Sequence, residues 1–410
     1  MSSDYDILIA GGGMVGASLA CALGSLPLRV AMVEAVPFSN SEQPSFDART
    51  LALSRSSQRI LTSLGLWADM GDNAWPIRRI HVSEQGRFGN ALIDGAEQGV
   101  GELGFVVQSR ILGRTLWDAL TNLQNLDVYS PARLTDASIQ NGLMHATLES
   151  EKDVQALTAR LLVVADGARS NLRETLGIAA TARPYNQTAI VGNVEVSRPS
   201  DDFTAYERFT AQGPVALLPM GGNRFVFVLT RKTEHTAAAL ELTDTEFLSL
   251  LQATFGYRLG RFQRVGKRAH YPLELVRAGE VTGERAVIVG NAANGLHPVA
   301  GQGYNLSLRD VAALAELLAD QRNSGNTSAD PGSSELLERY QEWRYRDQRN
   351  VVVFTDGLIR LFDLPLETLG IARGLGLMLF DALPGAKRSL ARHTMGLGGA
   401  LTRLARGLSL

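Results

Sequence analysis

The chain has 410 residues, 45% of them hydrophobic, with 41 glycines along its length, enough apolar material for a sizeable core and two interwoven domains. With 40 basic and 42 acidic residues its formal charge is −2, so no global field draws it to nucleic acid or to an acidic substrate. Its one cysteine, Cys21, excludes an intramolecular disulfide framework and fits a reducing cytoplasm.

The start carries Asp4 and Asp6 and no positive charge, which argues against an export signal although an apolar run follows. Residues 7–10 read as a buried strand, 14–26 as a helix and 29–34 as a second strand, a βαβ unit of the size a dinucleotide site needs. Two more short apolar strands, 161–165 and 286–289, each run into a glycine-bearing turn and suit a common parallel sheet. Between them, over 184–272, runs such as 189–196 and 214–219 alternate with turn signals; this predicts a separate, mainly antiparallel sheet, which we assign to substrate. Residues 303–321 are patterned as a helix, the polar stretch 323–334 as a surface loop, and helix resumes at Glu335.

Over 371–410, Arg373, Lys387, Arg388, Arg392, Arg403 and Arg406 face Asp381 alone, a net of 6 − 1 = +5. Interleaved Leu, Met and Phe make this a basic, amphipathic tail. It suits an anionic lipid surface, and equally suits packing on the catalytic domain or on a partner subunit. No charge-free run of 18 apolar residues is present, so membrane attachment is expected to be peripheral.

Three motifs carry chemistry. Gly11-Gly12-Gly13-Met14-Val15-Gly16 is a G-x-G-x-x-G between strand and helix, with Glu34 closing the next strand. Gly11 permits a tight turn, Gly13 lets the backbone approach a pyrophosphate, Gly16 allows helix and strand to pack closely, and Glu34 suits a ribose hydroxyl. That pattern alone does not separate FAD from NAD. Asp166-Gly167-Ala168-Arg169-Ser170 and Gly290-Asn291-Ala292-Ala293 each place polar groups at a strand end, where open α/β sheets bind ligands. The histidines His81, His145, His235, His270 and His393 show no metal-ligand spacing, and no metal is expected.

The order GGGMVG, VVADGARS, GNAANGLHPVAGQGYNLSLRD resembles the class A flavoprotein aromatic hydroxylases typified by p-hydroxybenzoate hydroxylase, over nearly the whole chain. Within that class FDARTLALS, VVQSRILGRTL, YERFTAQGPVALLP and FGYRLGRFQRVGKRAHYPL are most similar to the ubiquinone-biosynthesis hydroxylases, and among these to the 2-polyprenyl-6-methoxyphenol hydroxylases. The resemblance implies an α/β fold: a Rossmann-type FAD-binding domain (1–75, 108–183, 276–322) interwoven with a mainly antiparallel substrate domain (76–107, 184–275), then a helical C-terminal region (335–410).

It further implies that Gly11, Gly13, Gly16 and Glu34 hold the ADP half of FAD and that Arg49 and Gln108 serve its pyrophosphate and ribityl region. Asp166 and Gly167 would serve both FAD and the nicotinamide cofactor. Asn291 stands where most of the class has an aspartate on the ribityl chain, keeping an acceptor oxygen without the charge. Gly301, Gly303 and Asn305 open a helix whose N–H groups would face the flavin pyrimidine. The Pro298 carbonyl would lie near the phenol hydroxyl, and His297 is either a proton relay or a structural histidine.

The implied reaction is oxygen transfer from a flavin C4a-hydroperoxide, formed with NAD(P)H and O2, to a polyprenylated phenol; C1 of 2-polyprenyl-6-methoxyphenol is the expected position, with C5 and C6 as alternatives. An FAD-dependent dehydrogenase or reductase, and a non-catalytic component of a ubiquinone-synthesis complex, are the rival functions. The expected location is cytoplasmic, with peripheral contact at the inner membrane and partners in such a complex.

Overall fold

The computed structural model describes residues 3–37, 50–199, 201–298, 301–323, 329–363, 378–379, 381 and 383–410. Its first strand, Tyr5–Ala10, pairs in parallel with Val30–Val33 on one side and Val154–Val164 on the other. Ile7, Leu8 and Ile9 are fully buried, as an unbroken apolar run must be when a parallel sheet is covered on both faces. Leu126–Tyr129 and Ala286–Ile288 extend the sheet in parallel at its two sides. An antiparallel hairpin, Ala132–Gln140 and Leu143–Ser150, branches from Val154–Val164, an addition that the turn signals did not single out.

The first helix spans Met14–Leu23, shorter than the 14–26 expected, because the chain turns at Gly24 and meets Pro27. It lies on the long helix Gln302–Asn323, where the Ser18 and Tyr304 hydroxyls hydrogen-bond at 2.8 Å.

The second sheet runs in the order Asn294–Gly295, Ala269–Ala278, Ala180–Val196, Arg224–Lys232, Val215–Pro219, Thr204–Phe209, Arg79–Glu84, Asn90–Asp94. Every pairing in it is antiparallel except that of Thr204–Phe209 with Arg79–Glu84. Alternation along the strands sorts their side chains. Tyr206, Leu217, Phe225 and Phe227 pack on helix Asp244–Phe255 through Phe247, Leu251 and Phe255, while the opposite face looks into a cavity. A small sheet of Thr50–Ser54, Gly104–Gln108 and Ala74–Ile77 joins the two large ones.

Helix Gln302–Asn323 is clamped to helix Ser334–Asp363 by a buried ionic network. Arg344 Nε donates to Asp310 Oδ1 at 2.6 Å and its Nη2 to Asp347 Oδ2 at 2.5 Å, and Arg309 Nε donates to Asp347 at 2.8 Å.

The C-terminal tail is not one amphipathic helix. Residues 371–377 lie outside the described residues; helix Pro384–Thr394 then ends at a turn where Gly396 and Gly399 take φ of +69° and +73°, values that L side chains avoid. Ala391 and Met395 pack on Ile93 and Leu103, and Leu404 and Ala405 join the main core. Arg403 binds Glu316 and Asp320, and Lys387 bridges Glu97 and Asp381. Among the described residues no helix is long and apolar enough to cross a membrane.

Asp310→Ala strips Arg344 of its more deeply buried partner, and breaking a buried pair in this way costs about 3–5 kcal/mol. The denaturation midpoint of the variant is expected to fall accordingly with the slope of the transition unchanged.

Candidate active site

A cavity of about 1240 Å³ opens where the two large sheets meet, above the usual range for one small ligand, ~300–1,000 Å³. One end is bordered by Met14, Val15, Ala168, Asn291, Gly301 and Gly303. The motifs expected to serve FAD therefore converge on one space.

The turn after the first strand is built as its glycines require. Gly11 has φ +101°, and a Cβ there would meet the Ala165 carbonyl oxygen at 2.6 Å; a Cβ on Gly16 would stand 1.9 Å from the Gly11 carbonyl oxygen. At Gly13, which caps the helix Met14–Leu23, a Cβ would meet nothing within 4 Å. Space is thus kept clear at the helix N-terminus, where an anion is favoured. Glu34 is 8% exposed; its Oε2 accepts the Gly12 N–H at 2.6 Å and its Oε1 the Val36 N–H at 2.8 Å. This carboxylate braces the turn. Trp117, which sequence patterns did not reveal, donates its Nε1–H to the Gly12 carbonyl at 3.1 Å.

Asp166 and Gly167 follow Val154–Val164, with Gly167 at φ +95° and open above. Burial pushes the Asp166 carboxyl above the usual range, opposed by its hydrogen bond to Ser170. Arg173, itself buried, donates to the carbonyls of Ala168 and Ala292 at 3.4 and 3.1 Å and so ties the second motif to the third. Asn291 sits in the turn Gly290–Ala292, exposed at the cavity.

Gly301 takes φ +60°, and its N–H donates to the Pro298 carbonyl at 2.9 Å, leaving that oxygen one lone pair. Gly303 is open, with nothing within 4 Å of a built Cβ. Asn305 is different. Its Oδ1 accepts from Ser54 N–H and Ser57 Oγ–H at 2.8 and 2.7 Å, and its Nδ2 donates to the carbonyls of Ala52 and Gly301 at 2.8 and 2.6 Å. All its hydrogen-bonding capacity is used within the chain, so the residue positions the loop.

His297 is buried, met edge-on by Tyr185 at 5.1 Å, and burial lowers it to about 4, so the ring is neutral at physiological pH. Gln108 caps helix Ser109–Leu120 and accepts from Arg110 Nε at 2.7 Å. Arg49 lies outside the described residues.

These residues fit FAD. Gly13, Gly167 and Gly303 leave their backbone unobstructed, Gly303 at the cavity itself, and among the described residues the buried hydroxyls of Thr50 and Ser109 at its edge have no partner. No group of three His, Cys, Asp or Glu among the described residues is placed to hold a metal ion.

The profile of the FAD binding domain family matches residues 4–355. Ubiquinone hydroxylase UbiL of Rhodospirillum rubrum is 37% identical over 409 residues, 99% of this chain and 93% of the relative. The 3-demethoxyubiquinol 3-hydroxylase of Escherichia coli is 31% identical over 396 residues, 96% of this chain and 98% of that one. The chain belongs to the flavin-dependent ubiquinone hydroxylases. Among solved structures, p-nitrophenol 4-monooxygenase PnpA of Pseudomonas putida matches with a TM-score of 0.76 and 17% identity, over 97% of this chain and 99% of that one. PqsL of Pseudomonas aeruginosa matches with a TM-score of 0.73 and 20% identity, over 91% and 99%. The α/β fold with a mainly antiparallel second sheet is thus the p-hydroxybenzoate hydroxylase type.

As a flavin-dependent ubiquinone hydroxylase, the protein is an FAD-dependent aromatic monooxygenase with NAD(P)H as co-substrate. Its far cavity wall is the second sheet, which presents Val82, Ala91, Val191, Ala216 and Val228 and, in their midst, one enclosed carboxyl, Glu207. Sequence patterns had placed Glu207 in a quoted motif without a role.

Two glycine variants separate cofactor space from packing space. Gly16→Val is expected to prevent folding, since its Cβ would overlap the Gly11 carbonyl, whereas Gly13→Val should keep the native circular dichroism spectrum and lose FAD. Yellow, fully loaded Gly13→Val protein would remove Gly13 from the pyrophosphate site.

Proposed function

We propose that this enzyme hydroxylates the ring of a polyprenylated phenol in ubiquinone biosynthesis. The observation that carries this is the union, in one cavity of about 1240 Å³, of a glycine-lined cofactor end with an extended apolar wall. The printed names of the relatives support the substrate class: one is a ubiquinone hydroxylase, another acts on 3-demethoxyubiquinol.

Bound FAD, reduced by NAD(P)H, supplies the activation of O2 and the electrophilic oxygen. The chain's part is to bind, orient and keep dry. Gly11, Gly13, Gly16 and Glu34 take the ADP half, and Asp166, Gly167 and Asn291 the ribityl side, with Arg49 and Gln108 assigned to the adjoining region. Gly301 and Gly303 open helix Gln302–Asn323, whose positive end faces the cavity and stabilises negative charge there. The apolar wall excludes water from the reacting ring. The free lone pair of the Pro298 carbonyl is available to a ring hydroxyl, and neutral His297 packs edge-on with Tyr185 next to it in the chain.

For the ring carbon we assign C1 of 2-polyprenyl-6-methoxyphenol, on the likeness of the motifs. With that substrate, NAD(P)H oxidation by the holoenzyme is expected to rise and one atom of ¹⁸O₂ to appear in the product. Substrate-stimulated oxidation without label would favour a dehydrogenase, and no stimulation a non-catalytic component. Cells lacking the protein should accumulate 2-polyprenyl-6-methoxyphenol; accumulation of 2-polyprenylphenol would move the assignment to C5.

We further infer peripheral membrane contact. Phe354, Leu358, Leu361 and Leu390 border the cavity, and nearby in the chain Met378, Leu379 and Leu383 are exposed with Arg388 and Arg392. Basic residues near an anionic surface contribute on the order of 1 kcal/mol each. Changing Arg388, Arg392 and Arg406 to Ser, and leaving the paired Arg403 alone, should abolish flotation with anionic vesicles at low salt; equal flotation of both proteins refutes this contact.

A further inference from the structure

Glu207 stands in the middle strand of an apolar surface. Register places it beside Ala216 on one neighbouring strand and Val82 on the other; beyond these the same row continues through Val228 and Val191 on one side and Ala91 on the other. Alternation turns Ala205, Glu207 and Phe209 toward the cavity, which all three line, while the Tyr206 ring packs into the core behind the sheet. Among the described residues no hydrogen bond or ion pair holds the Glu207 carboxyl.

The titratable groups around it are elsewhere. Arg169, Tyr271, Glu274 and Tyr304 belong to other parts of the cavity lining, and Glu84 ends the adjacent strand. His81, Tyr206 and Arg208 alternate to the opposite face of the sheet, where the rings of His81 and Tyr206 lie 5.7 Å apart. None of these moves the ionisation of Glu207, which burial alone pushes up to about 7.

An unpartnered carboxyl facing an apolar cavity is costly unless a ligand completes it. The ligand class proposed above has one group that does so. Oxygen transfer to a phenol proceeds as its O–H proton is lost, and the Pro298 carbonyl can orient a hydroxyl but cannot carry off its proton. We propose that Glu207 is the proton acceptor of the reaction, taking over the hydrogen bond of the substrate's ring hydroxyl from the Pro298 carbonyl and then accepting its proton. This rests on the assignment of a phenolic substrate.

The step balances within the substrate and one side chain. The phenol O–H bond breaks as an O–H bond forms on a Glu207 oxygen, and the electron pair stays on the phenol oxygen and enters the ring. When the oxygenated ring carbon sheds its hydrogen as a proton to water, the Glu207 proton returns to the phenol oxygen. The carboxylate is thus regenerated at each turnover, and Glu207 exchanges no electrons. A base whose ionisation lies near the working pH suits such a transfer.

The carboxylate is the active form, so kcat/KM should fall as pH drops through about 7.

The test uses holoenzyme with matched FAD absorbance and 2-geranyl-6-methoxyphenol as the phenol, following product formation across pH. Glu207→Gln keeps the shape and cannot take the proton: kcat should fall by about 100-fold or more with KM little changed, and the acid limb should vanish. Glu207→Asp should restore an acid limb and part of the rate. A Glu207→Gln enzyme that keeps kcat within about threefold and retains the limb overturns the proposal while leaving the substrate class intact. A wild-type enzyme indifferent to the phenol overturns both.

Discussion

The Asn305 side chain holds together the parts on which the site depends. Its amide bonds strand Thr50–Ser54 through Ser54 and Ala52, helix Arg55–Ser63 through Ser57, and the loop before its own helix through Gly301. A buried amide is stable only when each donor and acceptor is matched, so the four bonds form together or the joint is lost. Through that joint the small sheet fixes the N-terminus of helix Gln302–Asn323 against the cavity. The same helix is held from behind by Ser18 at Tyr304 and by the Arg309, Asp310, Arg344 and Asp347 network. The end of the helix that faces the cavity therefore cannot drift without breaking charged and neutral bonds on several sides.

A second constraint acts at the nucleotide end. Gly12 is held by Glu34 through its N–H and by Trp117 through its carbonyl, while Gly11 and Gly16 allow no side chain at all. The backbone is set before any ligand arrives, which lowers the entropy lost on binding. Gly13 alone of this group is surrounded by open space, and it marks where the ligand belongs.

Charge is distributed by the same economy. Most of the basic residues of the tail that lie among the described residues either pair with carboxylates or stay exposed, and the buried Arg309 and Arg344 are matched by Asp310 and Asp347. Against that background one enclosed carboxyl, Glu207, without a partner among the described residues and set on an apolar wall, stands out as a group awaiting substrate. Chemistry on a lipid-soluble phenol needs this contrast: a dry surface for the ring and its chain, and one polar group aimed at the oxygen to be ionised.

The sequence alone determined the local conformations and the cofactor. The G-x-G-x-x-G turn, the acidic residue closing the next strand and the two later strand-to-turn motifs are short-range patterns, and short-range patterns encode backbone geometry directly. Family likeness over nearly the whole chain added FAD and the reaction class. What only the tertiary structure decided is which side chain faces which. Glu207 acquires its surroundings from Val82, Ala216 and Val228, distant in sequence and brought beside it by strand register, and a slip of one residue would turn it to the other face. Asn305 stands in a motif whose backbone N–H groups are expected to face the flavin, and its side chain bonds to residues some 250 positions away in the chain. Arg403 belongs to a basic stripe that by sequence suits a lipid surface and packing on the chain equally, and Glu316 and Asp320 on another helix pair with it. In each case the local pattern specifies a backbone, and the long-range contact assigns the side chain its work.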